Sequence, residues 1–316
     1  MRLFFPLVLV LFIASCSQNH TGKIPGTEVQ LGEALFFDPI LSRDSSVSCA
    51  SCHKPEFAFA DNVALSKGIF NQRTTRNTPS AMNQRDRNFY FWDGRSETLE
   101  HQAMGPVENP GEMDFPATLL VNRLLKNTKY KQAFLTVYGK EPTKDLIATA
   151  IAAYEKTLET SKSVFDKYMN AEDTTLFSES AKRGLTIFNE KGKCFDCHFG
   201  PDFTGNDDFK NIGLYNGKDL NDKGRFVITN DPKDLGTFKI PGLRNIAQTA
   251  PYMHNGKFKT LREVIDYYDQ PDKFVSNSIN RDTLLNKPLN LTENEKKDLE
   301  NFLLSLSDEQ FLSKKK

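Results

Sequence analysis

Two five-residue strings constrain this 316-residue chain more than anything else in it: Cys49-Ala50-Ser51-Cys52-His53 and Cys194-Phe195-Asp196-Cys197-His198. Two cysteines three apart, with a histidine directly after them, suit the covalent attachment of heme. The thiols add to the two vinyl groups, and the adjoining imidazole reaches the iron. A zinc site is a competing reading, but it needs further Cys or His ligands in each half. The supply is short: the five cysteines are these four and Cys16, and beyond His53 and His198 only His20, His101 and His254 remain. Disulfides within each pair would also suit an exported chain, and the histidine that closes each string argues against them. Cys49, Cys52, His53, Cys194, Cys197 and His198 are therefore expected to hold two heme c groups, with His53 and His198 as proximal iron ligands.

The chain repeats a plan around these strings, 145 positions apart from Cys49 to Cys194. A helical stretch at 32–38 (GEALFFD) precedes the first and another at 180–190 (SAKRGLTIFNE) precedes the second. Irregular segments rich in Gly, Asn and Asp follow each, and helices close each half. Helices are expected at 117–138, 144–159, 260–268 and 292–306. In the 144–159 segment Ile147, Ile151, Tyr154 and Leu158 share one face, and Thr143 is its N-cap. Thr292 and Glu295 form a capping-box pair. No strand-rich region stands out, so the class is mainly α. The period is too long for a solenoid array.

Export is written at the N-terminus. Arg2 gives a positive start, and residues 3–13 are apolar apart from Pro6, too short a run to span a bilayer. The string Ile13-Ala14-Ser15-Cys16 matches the lipobox of bacterial lipoproteins, which implies cleavage before Cys16 and lipidation of its thiol. An ordinary signal peptide is the alternative. The expected division is a signal peptide at 1–15, a polar tether at 16–28, and domains at 29–165 and 166–316. Lysine plus arginine and aspartate plus glutamate both number 41, a balance unlike that of a nucleic-acid binder. Phenylalanine is frequent at 25 residues, a composition able to line a flat apolar cofactor.

The strings LFFDPILSRDSSVSCASCHKPEFAFAD, RNTPS, FWDGR, LEHQAMGPVENPGEM, GLRNIAQTAPYMHNGKF and TLREVIDYYD resemble the bacterial diheme cytochrome c peroxidases and the related MauG-type enzymes, over about residues 30 to 306. The resemblance implies two cytochrome c-like domains, each with one covalent heme, meeting at a cleft. The N-terminal domain would react with hydrogen peroxide. The C-terminal one would accept electrons from a small cytochrome c or cupredoxin and pass them on. Trp92, the only tryptophan, matches the family residue between the hemes; its other reading is a core aromatic. Glu112 matches the family's acid–base glutamate, which moves a proton between the peroxide oxygens; otherwise it is a solvated loop acid. Gln102 and Pro106 match pocket residues beside that glutamate, or are helix-surface and turn residues, and Met113 reads as packing. The resemblance also implies calcium between the hemes, held by the Asn77 side chain and the Thr249 and Pro251 carbonyls; turn-forming residues are the alternative. A homodimer is implied by resemblance alone.

Two departures from the family pattern stand out. The loop that in many members supplies a histidine over the first iron corresponds here to 66–73 (SKGIFNQR), which has none. His101 lies in a helix and His20 in the tether. Fourteen residues after His254, where the peroxidases have an iron-binding methionine, stands Tyr268, as in MauG-type enzymes. Met253 is the competing ligand, and simple helix packing is a third reading. The functions left open are a peroxidase, a MauG-like oxidase acting on a partner protein, and a non-enzymatic electron-transfer cytochrome.

Overall fold

The computed structural model describes residues 24–312. The expected signal peptide, the lipidation site at Cys16 and His20 lie outside the described residues. Twelve α-helices are present among the described residues: α1 (Glu28–Phe37), α2 (Cys49–Cys52), α3 (Leu99–Glu108), α4 (Ala117–Lys126), α5 (Thr128–Tyr138), α6 (Lys144–Glu155), α7 (Val164–Met169), α8 (Glu179–Asn189), α9 (Phe226–Thr229), α10 (Leu261–Asp269), α11 (Glu293–Leu304) and α12 (Glu309–Leu312). Two two-residue strands, β1 (Phe209–Lys210) and β2 (Phe238–Lys239), pair antiparallel. No described helix is long and apolar enough to cross a membrane.

The helix ends follow their capping chemistry. Thr143 accepts a hydrogen bond from the Leu146 N–H at 3.2 Å and starts α6. Thr292 and Glu295 form the reciprocal box that starts α11. The expected continuous helix at 117–138 is instead two. Asn127 takes an extended conformation, and its Oδ1 accepts from the Tyr130 N–H at 3.2 Å, which caps a new helix. The last part of the expected tether is also ordered: Thr27 caps α1, and Pro25 is buried.

Each half is built on a crossed helix pair, α1 against α6 and α8 against α11. Both crossings bring a glycine onto a facing backbone. A Cβ on Gly32 would stand 1.8 Å from the Ala150 carbonyl oxygen, and one on Gly184 would stand 2.0 Å from that of Asp298. No other residue permits these approaches. Around α1 and α6 a first core gathers Leu31, Leu35, Phe36, Leu120, Leu124, Phe134, Ile147 and Ile151, all completely buried. A second core around α8 and α11 gathers Phe177, Phe188, Phe203, Ile265, Tyr267, Leu299 and Phe302. Phe188, Phe203 and Phe302 meet at centroid distances of 5.0 to 6.2 Å. Many of the phenylalanines thus form core rather than cofactor lining. The C-terminal segment departs from the expected boundary, because Phe311 of α12 packs into the first core.

Candidate functional site

The two CxxCH strings make the same bonds. In the first, the single turn of α2 brings Cys49 and Cys52 to one face, and the His53 N–H donates to the Cys49 carbonyl at 2.9 Å. In the second, a tight turn does the same work, with the His198 N–H donating to the Cys194 carbonyl at 2.8 Å. His53 Nδ1 lies 2.9 Å from the Phe59 carbonyl, and His198 Nδ1 lies 2.8 Å from the Phe203 carbonyl. A carbonyl only accepts, so Nδ1 carries the proton in each ring, and Nε2 keeps a free lone pair. Burial lowers both imidazole pKa values, which favours the neutral ring. These are the requirements of an iron ligand oriented from behind.

None of the four cysteines is in a disulfide, so all four are available for heme attachment. Burial pushes Cys52 up to about 11 and Cys194 to about 12. Among the described residues no group of three or more His, Cys, Asp or Glu is arranged to hold a metal ion. Cys194, Cys197 and His198 line one mostly apolar cavity with Tyr268, Met253 and Trp92, a setting suited to a flat apolar cofactor.

The two adjacent tyrosines of α10 divide their work. Tyr267 is fully buried, and its hydroxyl donates to the Ile212 carbonyl at 2.6 Å. Tyr268 faces the cavity; its hydroxyl has no hydrogen-bond partner among the described residues, and burial raises its pKa. Met253 lines the same cavity with φ of 72°.

Between the strings, residues from both halves converge. Trp92 Nε1 donates to the Asn77 carbonyl at 2.8 Å, and the Asn77 N–H donates to the His254 carbonyl at 2.7 Å. His254 stacks on Phe238 at 3.7 Å, with Trp92 edge-on at 6.5 Å. Asn77 Nδ2 donates to the Val63 and Ala64 carbonyls, each at 3.2 Å. Asn77, Thr249 and Pro251 line the cavity together with Trp92. Arg76 ties the halves here: its guanidinium grips Asp222 through two hydrogen bonds of 2.7 and 2.8 Å and Asp93 through one of 2.6 Å.

Glu112 sits on the first-half side, partly buried. Its Oε1 accepts from Asn109 Nδ2 at 2.8 Å, and its carbonyl accepts from the Ile69 N–H at 2.8 Å, which docks the 66–73 loop on it. Burial raises its pKa, opposed by the Arg95 charge and the Asn109 hydrogen bond. Its charge is felt at both Cys49 and Cys52. Gln102 and Pro106 lie four apart on α3; Pro106 is inside the helix rather than in a turn, and its carbonyl accepts from the Met113 N–H at 3.2 Å. Met113 is core, and His101 is exposed. Two charged residues here had no mark in the sequence: Arg87, which is buried, and Lys239, which is half-buried.

Residues 26–174 match the family model described as di-haem cytochrome c peroxidase. The chain is 35% identical over 285 residues to the methylamine utilization protein MauG of Methylorubrum extorquens, covering 89% of this chain and 78% of that one. It is 38% identical over 244 residues to the cytochrome c551 peroxidase of Pseudomonas aeruginosa, covering 75% and 70%. The crystal structure of a MauG-like protein associated with microbial copper homeostasis superimposes with a TM-score of 0.80 at 30% identity, covering 93% of each chain.

Proposed function

The chain belongs to the di-haem cytochrome c peroxidase family, and from that premise we propose that it reduces hydrogen peroxide to water with electrons from a small cytochrome. When bound, the two hemes supply the iron that holds peroxide and the path for the two electrons each turnover consumes. The protein's own part begins with Glu112. Its carboxylate would carry a proton between the two oxygens of peroxide held at the first heme, the acid–base chemistry that O–O cleavage needs. The partly buried position and Asn109 hold that carboxylate at an acid–base setting close to the first motif. Gln102 and Pro106 shape the wall beside it. Trp92, fixed by Asn77 and by the Lys239 N–H that donates to its carbonyl at 2.8 Å, supplies an aromatic ring between the two motifs. Asn77 and the carbonyls of Thr249 and Pro251 hold a calcium ion there; Asn77 Nδ2 is spent on Val63 and Ala64, which leaves Oδ1 for a hard cation. Export, a lipid anchor at Cys16, a cupredoxin as a further donor, and a homodimer complete the reading.

The partly buried Glu112, whose charge is felt at both cysteines of the first CxxCH string, carries this proposal. Turnover of peroxide with reduced cytochrome c tests it. Glu112→Gln keeps the side-chain volume and the Asn109 contact but cannot take a proton, so kcat/KM is expected to fall ~10²–10⁴-fold. Wild-type turnover in that variant overturns the assignment.

The unpartnered Tyr268 hydroxyl favours a second reading, oxidation of a residue on a partner protein. A hard anionic donor on the second iron favours its ferric and higher states. A new peroxide-dependent covalent modification, found by mass spectrometry on a co-purifying partner, supports it; fast cytochrome c oxidation with no such modification counts against it.

A further inference from the structure

Lys239, half-buried, and Arg87, buried, are two neighbouring positive charges with too few anions between them. Strand β2 fixes Lys239 opposite Phe209. The lysine lines the cavity that also holds His198 and Cys197. Its Nζ makes no hydrogen bond or ion pair among the described residues. Burial, together with the nearby Arg87 charge, pushes its ammonium down to about 7. Arg87, with a side chain 4% exposed, pairs with Asp207 and donates from Nη2 to the Ile240 carbonyl at 3.1 Å. Its Nε and Nη1 are buried with no partner.

The neighbouring acids are already engaged. The other oxygen of Asp207 accepts from the Asn88 N–H at 2.7 Å. Asp202 is taken by Arg244 and Asn83. Asp207 is thus the one carboxylate beside both charges, and it is held by Arg87. Lys239 stands at the cavity wall with no partner for its Nζ. A charge in so apolar a setting needs a counter-ion, so the arrangement calls for one more anion at Lys239, reached through the cavity. A carboxylate matches the ammonium. The group attached at Cys194 and Cys197 brings two carboxylates of its own.

We infer that Lys239 is a cofactor-positioning residue that binds a propionate carboxylate of the heme attached at Cys194 and Cys197, and that its charge, with that of Arg87, holds this heme's reduction potential up. The inference rests on the diheme reading. That reading fails on its own if purified protein does not contain two covalent hemes per chain.

Spectroelectrochemical titration of both hemes in the holoprotein is the test. Lys239→Gln removes one positive charge near the second heme and favours its ferric form. The ferrous-to-ferric ratio at fixed potential should fall about tenfold, a midpoint lowered by about 59 mV, with the first heme unmoved. Lys239→Arg keeps charge and fold, so its midpoint should hold while the propionate bending mode in the resonance Raman spectrum of the second heme shifts. An unchanged midpoint in Lys239→Gln overturns the inference, as does a shift confined to the first heme. If Lys239→Gln fails to assemble, an unshifted propionate mode in Lys239→Arg overturns it alone.

Discussion

Glu155 offers a stability test whose size follows from its surroundings. It is the last residue of α6, 6% exposed, and its Oε2 has no hydrogen-bond partner. Burial, and secondarily the charge of Glu100, push its carboxyl from 4.5 up to about 8. Between those two pH values the folded protein holds a proton that the unfolded chain has released. Stability from this group is therefore undiminished below pH 4.5 and declines as pH rises towards 8. Each pH unit in the window costs about 1.4 kcal/mol, which adds up to about 5 kcal/mol across it. Glu155→Gln has no proton to hold. Its buried amide carries a fixed penalty of about 1–3 kcal/mol, which sets the offset between the two proteins but not the slope. The stability of Glu155→Gln minus that of wild type should climb by about 1.4 kcal/mol per pH unit between pH 5 and 8, or about 3 °C per unit in Tm at ~2 °C per kcal/mol for a chain of this size. Carboxylates elsewhere cancel in the difference. Thermal or guanidinium unfolding of both holoproteins at four pH values measures it, and a difference that stays flat across the window refutes the argument.

Two further tests bear on the cleft. Tyr268→Phe should change the EPR signal of one ferric heme in the resting protein, whereas Tyr267→Phe should leave that signal alone and cost about 1 kcal/mol through the lost bond to Ile212; identical spectra for Tyr268→Phe and wild type remove Tyr268 as a ligand. A calcium chelator should lower wild-type peroxide turnover, with added calcium restoring it, and Asn77→Ala should need far more calcium for the same recovery; turnover indifferent to chelation removes the calcium site.

How much of this was legible depended on how local the chemistry is. Heme attachment needs its residues side by side, so both candidate sites stand out in the sequence. Capping is nearly as local, and Thr143, Thr292 and Glu295 marked their helices correctly. Asn127 carried a capping signal too, but the helical patterns on either side of it read as one helix. Glu155 was within reach: it stands four residues after Ile151, on the apolar face of α6, where a charge has to be buried. Lys239, Arg87 and Asp207 were not. Arg87 stands more than a hundred positions before the other two, and alone each looks like an ordinary solvated charge. The pairing of Phe59 and Phe203 carbonyls with the two imidazoles was equally hidden, since any residue can supply a carbonyl.

The identical bonding of His53 and His198 means that the two halves do not differ in how they present an imidazole. What separates them is the other groups nearby. The first half brings a partly buried carboxyl, Glu112, under a docked loop. The second brings a phenol, Tyr268, and an unpaired cation, Lys239. As an iron ligand and a propionate partner, those last two would act in opposite directions on the second heme. A phenolate donor stabilises the ferric state, and a nearby positive charge stabilises the ferrous state, each tenfold change in the balance being worth 59 mV. A relay that accepts electrons from a cytochrome needs a potential above its donor's, so under the peroxidase reading the Lys239 and Arg87 charges must outweigh the phenolate. If the phenolate wins, the second heme stays ferric and the oxidase reading gains. The midpoint potentials of Lys239→Gln and Tyr268→Phe, measured side by side, therefore decide between the two activities as well as between two residues.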